Sequence, residues 1–178
     1  MKKRICLIGF MGAGKTTVGK HLATLLKYPF SDLDDLICHR FQQSIPEIFS
    51  NFGESYFRWF ETQELSSWLS STRRGVLATG GGIVLSKMNR GFLKLFGYCV
   101  FLDPPVEHLL QRIRKDLQVR PLAISTSDED FKMRWEQRYT FYKKMARFTT
   151  ASTLPPQDVA QIIFNHLKSL KNKGDSYS

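Results

Sequence analysis

The sequence predicts an α/β domain in which five short strands alternate with helices. Two observations support this fold class. A glycine-rich loop at residues 9–16, GFMGAGKT, lies between an apolar run and an amphipathic run, which is the strand, loop and helix context of a phosphate-binding loop. Later apolar runs of strand length end in acidic or glycine-rich residues, as expected where ligands gather at the carboxyl ends of parallel strands.

Length and composition indicate one globular domain. The 178 residues are 42% hydrophobic and 24% charged, and no stretch approaches the length of a membrane span. We expect a single domain over about residues 1–170 and a disordered tail at 171–178. The basic and apolar start is interpreted as a first strand rather than a signal peptide, because it runs directly into the glycine loop.

Charge and cysteine usage restrict the partners. The net charge of +10 comes from basic residues scattered over many elements, which favours small anionic substrates over a nucleic acid or a membrane. Cys6, Cys38 and Cys99 have no paired or metal-type spacing, so we expect reduced thiols in a cytoplasmic protein.

The glycine loop predicts a site for nucleotide phosphates. Gly9, Gly12 and Gly14 allow several backbone N–H groups to converge on an anion. Lys15 can reach the terminal phosphates, and the Thr16 hydroxyl can ligate Mg²⁺. The alternative is a chance glycine-rich turn, and the strand and helix on either side argue against it.

The predicted second strand, residues 30–34, ends in acidic side chains. Asp32 could support the metal, and Asp34 could meet a substrate hydroxyl, because both lie where a parallel sheet collects its ligands. The alternative is that these residues and Asp35 cap the helix predicted at 36–40. The two roles are compatible.

The next segment is helical and interrupted. Ser44 opens a helix with a proline and a glutamate in its first turn, and Gly53 breaks it before a second helix begins near Glu54. Arg58 and Glu61 are three apart on that second helix and therefore share a face. Taken alone, this pair is typical of a solvated ion pair.

Two further strands are predicted at 76–79 and 98–102. The first runs into Gly80, Gly81 and Gly82, which indicates either close approach by a ligand or a flexible turn. The second is followed by Asp103 and two prolines. We interpret Asp103 as the N-cap of the next helix, which is simpler than a role as a metal-supporting acid.

The C-terminal third contains a predicted lid. Residues from about 114 to 130 lack apolar periodicity, and Arg120 within them could close over a transferring phosphoryl group or be an ordinary loop arginine.

A basic aromatic helix is predicted next, at 131–148. Its stripe of aromatic residues is more typical of core packing than of RNA binding. A fifth strand is predicted at 149–153. A last helix at 157–170 is expected to turn these residues inward: Val159, Ile162, Ile163 and Leu167.

Five ordered motifs resemble those of the shikimate kinases, over roughly residues 3–168. They are the glycine loop with its extension to Gly19, the segment FSDLD at 30–34, Arg58-x-x-Glu61 followed by VLATGGGIV at 76–84, Arg120-Pro121-Leu122, and Arg138-x-x-x-Tyr142-x-x-x-Ala146. The resemblance implies a three-layer α/β/α fold with a five-stranded parallel sheet, a substrate-binding region at about 32–60 and a lid at about 114–130.

The same resemblance implies a reaction, the transfer of the γ-phosphoryl group of MgATP to the 3-hydroxyl of shikimate in aromatic amino-acid biosynthesis. Arg58 and Arg138 would bind the carboxylate, and Asp34, Lys15 and Arg120 would be catalytic. The complete assignment is as follows: ATP at Gly12, Ala13, Gly14, Lys15, Thr16, Thr17 and Arg120; shikimate at Asp34, Arg58, Gly80, Gly81, Gly82 and Arg138; Mg²⁺ at Thr16 and Asp32.

Some positions depart from the family pattern or allow alternatives. Ala123 stands where the family often has leucine, and Arg112 or Arg114 could contact adenine near the predicted adenine loop at 154–156. A kinase for another polyol acid such as gluconate would share the loop, sheet and lid. A catalytically silent nucleotide-binding relative and a basic nucleic-acid-binding module are further alternatives. A monomer is expected, because each amphipathic helix has a sheet face to cover.

Overall fold

The computed structural model describes residues 3–119 and 127–172. Its strands are β1 (Lys3–Ile8), β2 (Phe30–Asp32), β3 (Arg74–Ala78), β4 (Tyr98–Leu102) and β5 (Phe148–Thr150). Its helices are α1 (Lys15–Leu26), α2 (Leu33–Phe41), α3 (Ile45–Ser71), α4 (Lys87–Phe96), α5 (Val106–Val119), α6 (Asp128–Met145) and α7 (Pro156–Asn172), with a short 3₁₀ turn at Ile83–Leu85.

The five strands form one parallel sheet in the order β2-β3-β1-β4-β5. The central strand β1 pairs with β3 on one side and with β4 on the other, so that Ile5 aligns with Val76 and with Tyr98. The carboxyl ends of all strands therefore lie at one edge, where the glycine loop begins. The predicted five-stranded parallel α/β fold is confirmed.

The sheet is buried between helices. Every residue of β4 is buried, as expected for a strand covered on both faces. On one helical side α1 packs against α7, and elsewhere α4 contacts both α3 and α6. Tyr142 of α6 is fully buried and stacks on Phe101 of β4, with ring centroids 5.2 Å apart. The core thus fixes the edge at which the loop and the triple glycine emerge.

Several predicted boundaries were wrong by a few residues. The second strand ends at Asp32 rather than at residue 34, because the Asp32 carboxylate accepts a bond from the backbone N–H of Asp34 and caps α2. The fifth strand is Phe148–Thr150 instead of 149–153. On α7 the predicted inward side chain Ile162 is 38% exposed, and the adjacent Ala160 is fully buried in the core.

Asp103 does not cap the following helix, contrary to the sequence prediction. Helix α5 begins at Val106, and the carbonyl of Pro105 accepts its first bonds, from the N–H groups of His108 and Leu109. Asp103 instead accepts a hydrogen bond of 3.3 Å from the hydroxyl of Tyr139. Pro104 and Pro105 therefore lie between Asp103 and the first residue of α5, and neither belongs to the helix.

Both ends of the predicted lid are helical. Residues 114–119 belong to α5, and α6 begins at Asp128, with Arg114 in an ion pair with Asp128 across the gap. Arg120 and the positions at 120–126 lie outside the described residues. The first two positions of the predicted tail, 171 and 172, belong to α7, which continues to Asn172. Positions 173–178 lie outside the described residues.

Within the described ranges, none of the helices is long and apolar enough to cross a membrane. Cys6 and Cys99 are buried on neighbouring strands, aligned with each other in the sheet, and Cys38 is half-buried on α2. The three are thiols, as predicted.

Candidate functional site

The glycine loop has the backbone that its sequence requires. Gly12 and Gly14 have φ of 77° and 86°, a region that residues with a β-carbon avoid. Gly14 directly precedes α1, whose first turn therefore opens on the loop. Exposed N–H groups and the positive end of the helix dipole make this turn a ready anion site.

Lys15 is buried in the loop, with 9% of its surface exposed. Its Nζ donates to the carbonyl oxygens of Gly9 at 2.8 Å and Phe10 at 2.9 Å. Burial lowers its pKa to about 8, against the opposing charges of Asp34 and Asp32. The two carbonyl groups are neutral, so a bound phosphate would supply the negative charge that compensates the ammonium of Lys15.

Thr16 and Asp32 are in direct contact. The Thr16 hydroxyl donates to Oδ2 of Asp32 at 2.6 Å, while Oδ1 of Asp32 accepts from the N–H of Asp34 at 3.1 Å. A hydroxyl and one carboxylate are oxygen ligands of the type that Mg²⁺ accepts, together with water and phosphate oxygens. Among the described residues no cluster of three or more His, Cys, Asp or Glu could hold a metal by protein ligands alone.

Two carboxylates meet at Gly80. A β-carbon at this position would lie 2.6 Å from Oε1 of Glu61 and 3.1 Å from Oδ1 of Asp34, so only glycine lets both acids approach. Both of these oxygens are buried and lack a hydrogen-bond partner within the described part of the chain. Burial raises the pKa of Asp34, which Asp32 raises further, and burial likewise raises the pKa of Glu61. Unpaired buried acceptors of this kind indicate a place for a hydroxyl donor.

The Arg58 and Glu61 pair is not the solvated pair that the sequence alone indicated. Glu61 is fully buried, and its Oε2 accepts from Nη1 of Arg58 at 3.0 Å. Nη2 of Arg58 donates to Oε1 of Glu54 at 3.1 Å. The guanidinium lies against Gly82, where a β-carbon would overlap it. The triple glycine is therefore packed against the site rather than being a flexible turn.

Arg138 reaches the same segment from α6. Its Nη1 donates to the carbonyl of Gly81 at 3.3 Å, and the hydroxyl of Tyr142 donates to the same oxygen. The Arg138 guanidinium lies 5.3 Å from the centroid of the Phe10 ring. Burial and the nearby charge of Arg58 lower its pKa. Two arginines whose charges interact this way would both gain from a shared carboxylate.

Two cavities meet at the glycine loop. One of about 230 Å³ is lined by Lys15, Thr16, Asp32, Asp34 and Thr79 together with Gly81 and loop residues. The other, about 440 Å³, is lined by Gly12, Ala13, Gly14, Thr17, Val18, Arg112, Lys115, Ser152, Leu154 and Pro156. Gly12, Gly14 and Thr17 line both, so a nucleotide could place its base in one and its phosphates toward the other.

Arg112 and Ser152 tie the second cavity to the loop. Arg112 donates from Nη1 to the carbonyl of Gly12 at 3.2 Å and from Nη2 to that of Ser152 at 2.5 Å. The buried Ser152 hydroxyl donates to the carbonyl of Ala13 at 2.8 Å. Arg112 thus lines the cavity together with Leu154 and Pro156 of the predicted adenine loop, whereas Arg114 is paired with Asp128.

A larger depression of about 490 Å³ lies between α2 and α3, around Arg40, Trp59 and Glu64. Its charged groups, Arg40 and Glu64, are already paired with each other. It contains no residue of the glycine loop or the triple glycine, so its size does not make it the stronger candidate for the chemistry.

The structure thus brings together every predicted site residue except Arg120, which lies outside the described residues. Three contributions to the site were not predicted from the sequence: Glu61 as a buried acceptor, although its motif with Arg58 was recognised, Ser152 as a contact of the loop, and Glu54 as a partner of Arg58. Glu61 had a signal, since it stands three residues after Arg58 on one helix face. Ser152 had none, because its contact with Ala13 joins residues 139 positions apart.

The family model and the similar sequences name the same family. The family model for shikimate kinase matches residues 11–168. The shikimate kinase of Enterococcus faecalis is 43% identical over 166 residues, covering 92% of this chain and 98% of the relative. That of Synechococcus elongatus is 42% identical over 173 residues, covering 96% and 90%.

Solved structures agree. The shikimate kinase from Acinetobacter baumannii in complex with shikimate superposes with a TM-score of 0.87 at 39% identity, covering 95% of this chain and 94% of that one. A gluconokinase from Sinorhizobium meliloti has a TM-score of 0.58 at 14% identity, covering 97% of this chain and 95% of that one. That second likeness shows a shared fold alone.

Proposed function

The chain belongs to the shikimate kinase family, and we propose that it transfers the γ-phosphoryl group of ATP to the 3-hydroxyl of shikimate, giving shikimate 3-phosphate and ADP. The observation that carries the proposal is the convergence of Arg58, Arg138 and Asp34 on the triple glycine beside the phosphate loop. A relative that is 39% identical has been solved with shikimate bound.

The acceptor's carboxylate is held by Arg58 and Arg138. Each guanidinium presents a planar fork that matches a carboxylate, and burial lowers the pKa of Arg138, so its positive charge is poorly solvated. A carboxylate bound between the two arginines neutralises their poorly solvated positive charges. This fixes one end of a small acid while its ring hydroxyls extend toward Asp34 and Gly80.

Asp34 orients the hydroxyl that attacks. Its unpartnered Oδ1 is an acceptor awaiting a donor, and the charges of Lys15 and Arg58 hold down a pKa that burial and Asp32 raise. A hydroxyl donating to Oδ1 has its lone pair free to point at the γ-phosphorus. As the new O–P bond forms, the bond from that phosphorus to the β-phosphate oxygen breaks, ADP leaves with that oxygen, and the hydroxyl proton passes to the carboxylate. Because phosphoryl-transfer transition states are loose, positioning contributes more than basicity.

The phosphate loop holds the donor. Nucleotide phosphates accept from the N–H groups of the first turn of α1, and Lys15 exchanges its bonds to Gly9 and Phe10 for phosphate oxygens. The remaining predicted contacts, from Gly12 to Thr17, line the same two cavities. Arg120 is proposed from its motif as a further cation in the lid, at a position outside the described residues.

Mg²⁺ is proposed to accompany ATP, since the Thr16 hydroxyl and Asp32 carboxylate fit the ion's preference for a few oxygen ligands. Held by these two residues, the ion would supply charge neutralisation at the nucleotide phosphates. Asp32 also caps α2, so its orientation is fixed before the ion arrives. We further propose that the protein is a single-domain monomer in the cytoplasm, with its substrate-binding region at about residues 32–60. Its partners are then small molecules, and neither a nucleic acid nor a membrane is among them.

Acceptor-dependent release of ADP tests this function. Purified protein is incubated with MgATP and shikimate, gluconate, quinate or no acceptor, and ADP is followed by a coupled assay. ADP release that requires shikimate is the expected result. Equal release with gluconate would move the assignment to another polyol acid. No acceptor-dependent release from folded, ATP-binding protein would favour the catalytically silent alternative.

A further inference from the structure

We propose that Glu54 is an internal competitor for the carboxylate of the acceptor and thereby sets the affinity for it. Glu54 occupies part of the Arg58 guanidinium that an acid would use, so binding exchanges one carboxylate for another. The inference rests on the proposed function, because it concerns the same arginine.

The guanidinium of Arg58 has one usable edge. Its Nη1 end is held by Glu61 at 3.0 Å, its Nη2 end by Glu54 at 3.1 Å, and its buried Nε has no partner within the described part of the chain. A carboxylate binds arginine bidentately through two neighbouring nitrogens. The edge formed by Nε and Nη2 is therefore the one that still has an unpaired donor for an acid, and Glu54 lies at one end of it.

The two glutamates differ in how readily they can leave. Glu61 is fully buried, and releasing it would strand a carboxylate away from water, which is costly. The Glu54 side chain is 64% exposed, so releasing it returns the carboxylate to solvent at the small cost of a surface ion pair. Glu61 is the permanent partner of Arg58, and Glu54 is the exchangeable one.

The position of Glu54 in the chain favours such an exchange. Gly53, with φ of 79°, breaks α3 immediately before it, and nothing lies within 4 Å of a β-carbon built on Gly53. The charge of Glu54 also reaches Arg138, where it opposes the lowering of the pKa by burial. Both arginines proposed for the acid therefore already interact with the same exposed carboxylate.

A simpler role is available to Glu54 and must be separated from this one. As the first residue after the break, an acidic side chain stabilises the start of the second helical segment. That role predicts a change in the free energy of unfolding but no gain in affinity for an acid. The competitor role predicts that removing the charge makes the acceptor bind more tightly.

The test is the dissociation constant of shikimate, measured by calorimetry for the natural protein and for Glu54→Gln. We expect a fall of about 1.5-fold to fivefold, the range of a surface ion pair that no longer has to be broken. In turnover assays the gain should appear in KM for shikimate rather than in kcat, with KM for ATP unaffected.

Glu136→Gln is the matched control. Glu136 is an exposed acid on α6, so its removal changes the net charge of the protein by the same amount, and its position two residues from Arg138 turns it away from that arginine's face of the helix. Its shikimate affinity should stay near that of the natural protein. An equal gain in this control, or an unchanged or weaker affinity in Glu54→Gln, would overturn the inference. If the natural protein bound no shikimate, the proposed function itself would fail, which is a distinct outcome.

Discussion

Gly82 lies so close to Arg58 that a β-carbon at position 82 would overlap the guanidinium group. The backbone at Gly82, with φ of −94°, would accept any residue. The constraint is therefore space for an arginine rather than chain conformation, and it connects the triple glycine directly to the carboxylate site.

Gly82→Ala should consequently damage acceptor binding without unfolding the protein. The end of a long side chain can move aside, so we expect Arg58 to shift and KM for shikimate to rise by about 10- to 100-fold. The free energy of unfolding should fall by about 1 to 3 kcal/mol, because the shift moves Nη1 of Arg58 away from its buried partner Glu61. Steady-state kinetics and denaturant titration measure the two quantities.

Gly91→Ala is the control for that substitution. Gly91 lies within α4 with nothing within 4 Å of a built β-carbon, so alanine should stabilise the protein by up to about 1 kcal/mol through helix propensity. KM should not change. A similar loss of affinity in both variants would contradict the contact between Gly82 and Arg58 as the cause.

Asp34→Asn is expected to remove turnover while preserving nucleotide binding. An amide keeps the shape of the side chain but accepts no proton and offers a weaker acceptor, so kcat should fall by about 100-fold or more. ATP affinity should be largely retained, because the phosphate loop is unchanged. Asp35→Asn, at the exposed neighbouring acid, should behave as the natural protein. Weakened ATP binding with normal turnover at saturation would refute the role.

ATP affinity should decline as pH rises above about 8, the pKa to which burial lowers Lys15. Below that pH the ammonium is present and this group adds no pH dependence. Above it Lys15 of the free protein is neutral, and because the phosphates bind its charged form, ATP binding must be accompanied by uptake of a proton at Lys15. The dissociation constant then rises by at most about tenfold per pH unit.

Calorimetry from about pH 7.5 to about pH 9.5 measures that slope, beyond the range in which the nucleotide's own phosphate titrates. Lys15→Met should bind ATP weakly and without the slope. A natural protein whose affinity is flat across the range would contradict the lowered pKa of Lys15.

Tyr142→Phe should loosen the triple glycine. The substitution keeps the stack on Phe101 but leaves the carbonyl of Gly81 with Arg138 as its remaining side-chain donor. We expect a loss of about 1 kcal/mol in the free energy of unfolding and a higher KM for shikimate. Tyr139→Phe, which removes a bond to Asp103 instead, should leave KM unchanged.

The parts of the site that the sequence predicted are local in the chain. The phosphate loop, the acidic end of β2 and the triple glycine each follow a strand within a few residues, so a short motif contains both the element and its ligand groups. Parallel pairing then brings these strand ends to one edge. That is why Lys15, Thr16, Asp34 and Gly81 could be placed together from sequence.

The parts that could not be predicted depend on packing between distant segments. Glu61 resembles any acid three residues from an arginine until α3 is laid against the triple glycine and buries it. Asp103 followed by prolines is as typical of a cap as of the loop that it forms, and the contact with Tyr139 is set by α6. Ile162 is the larger apolar residue, yet Ala160 is the buried one, because the packing of α7 against the rest of the fold decides which side of the helix faces the core.

The position of the transferred phosphate is the most direct test of the account, since it requires donor, acceptor and both arginines to be arranged as described. The product of a complete reaction with shikimate and ATP is examined by ³¹P and ¹H NMR. A single product carrying phosphate on the 3-hydroxyl is the predicted result. Phosphate on another hydroxyl, or a mixture, would contradict the proposed placement of the ring between Arg58, Arg138 and Asp34.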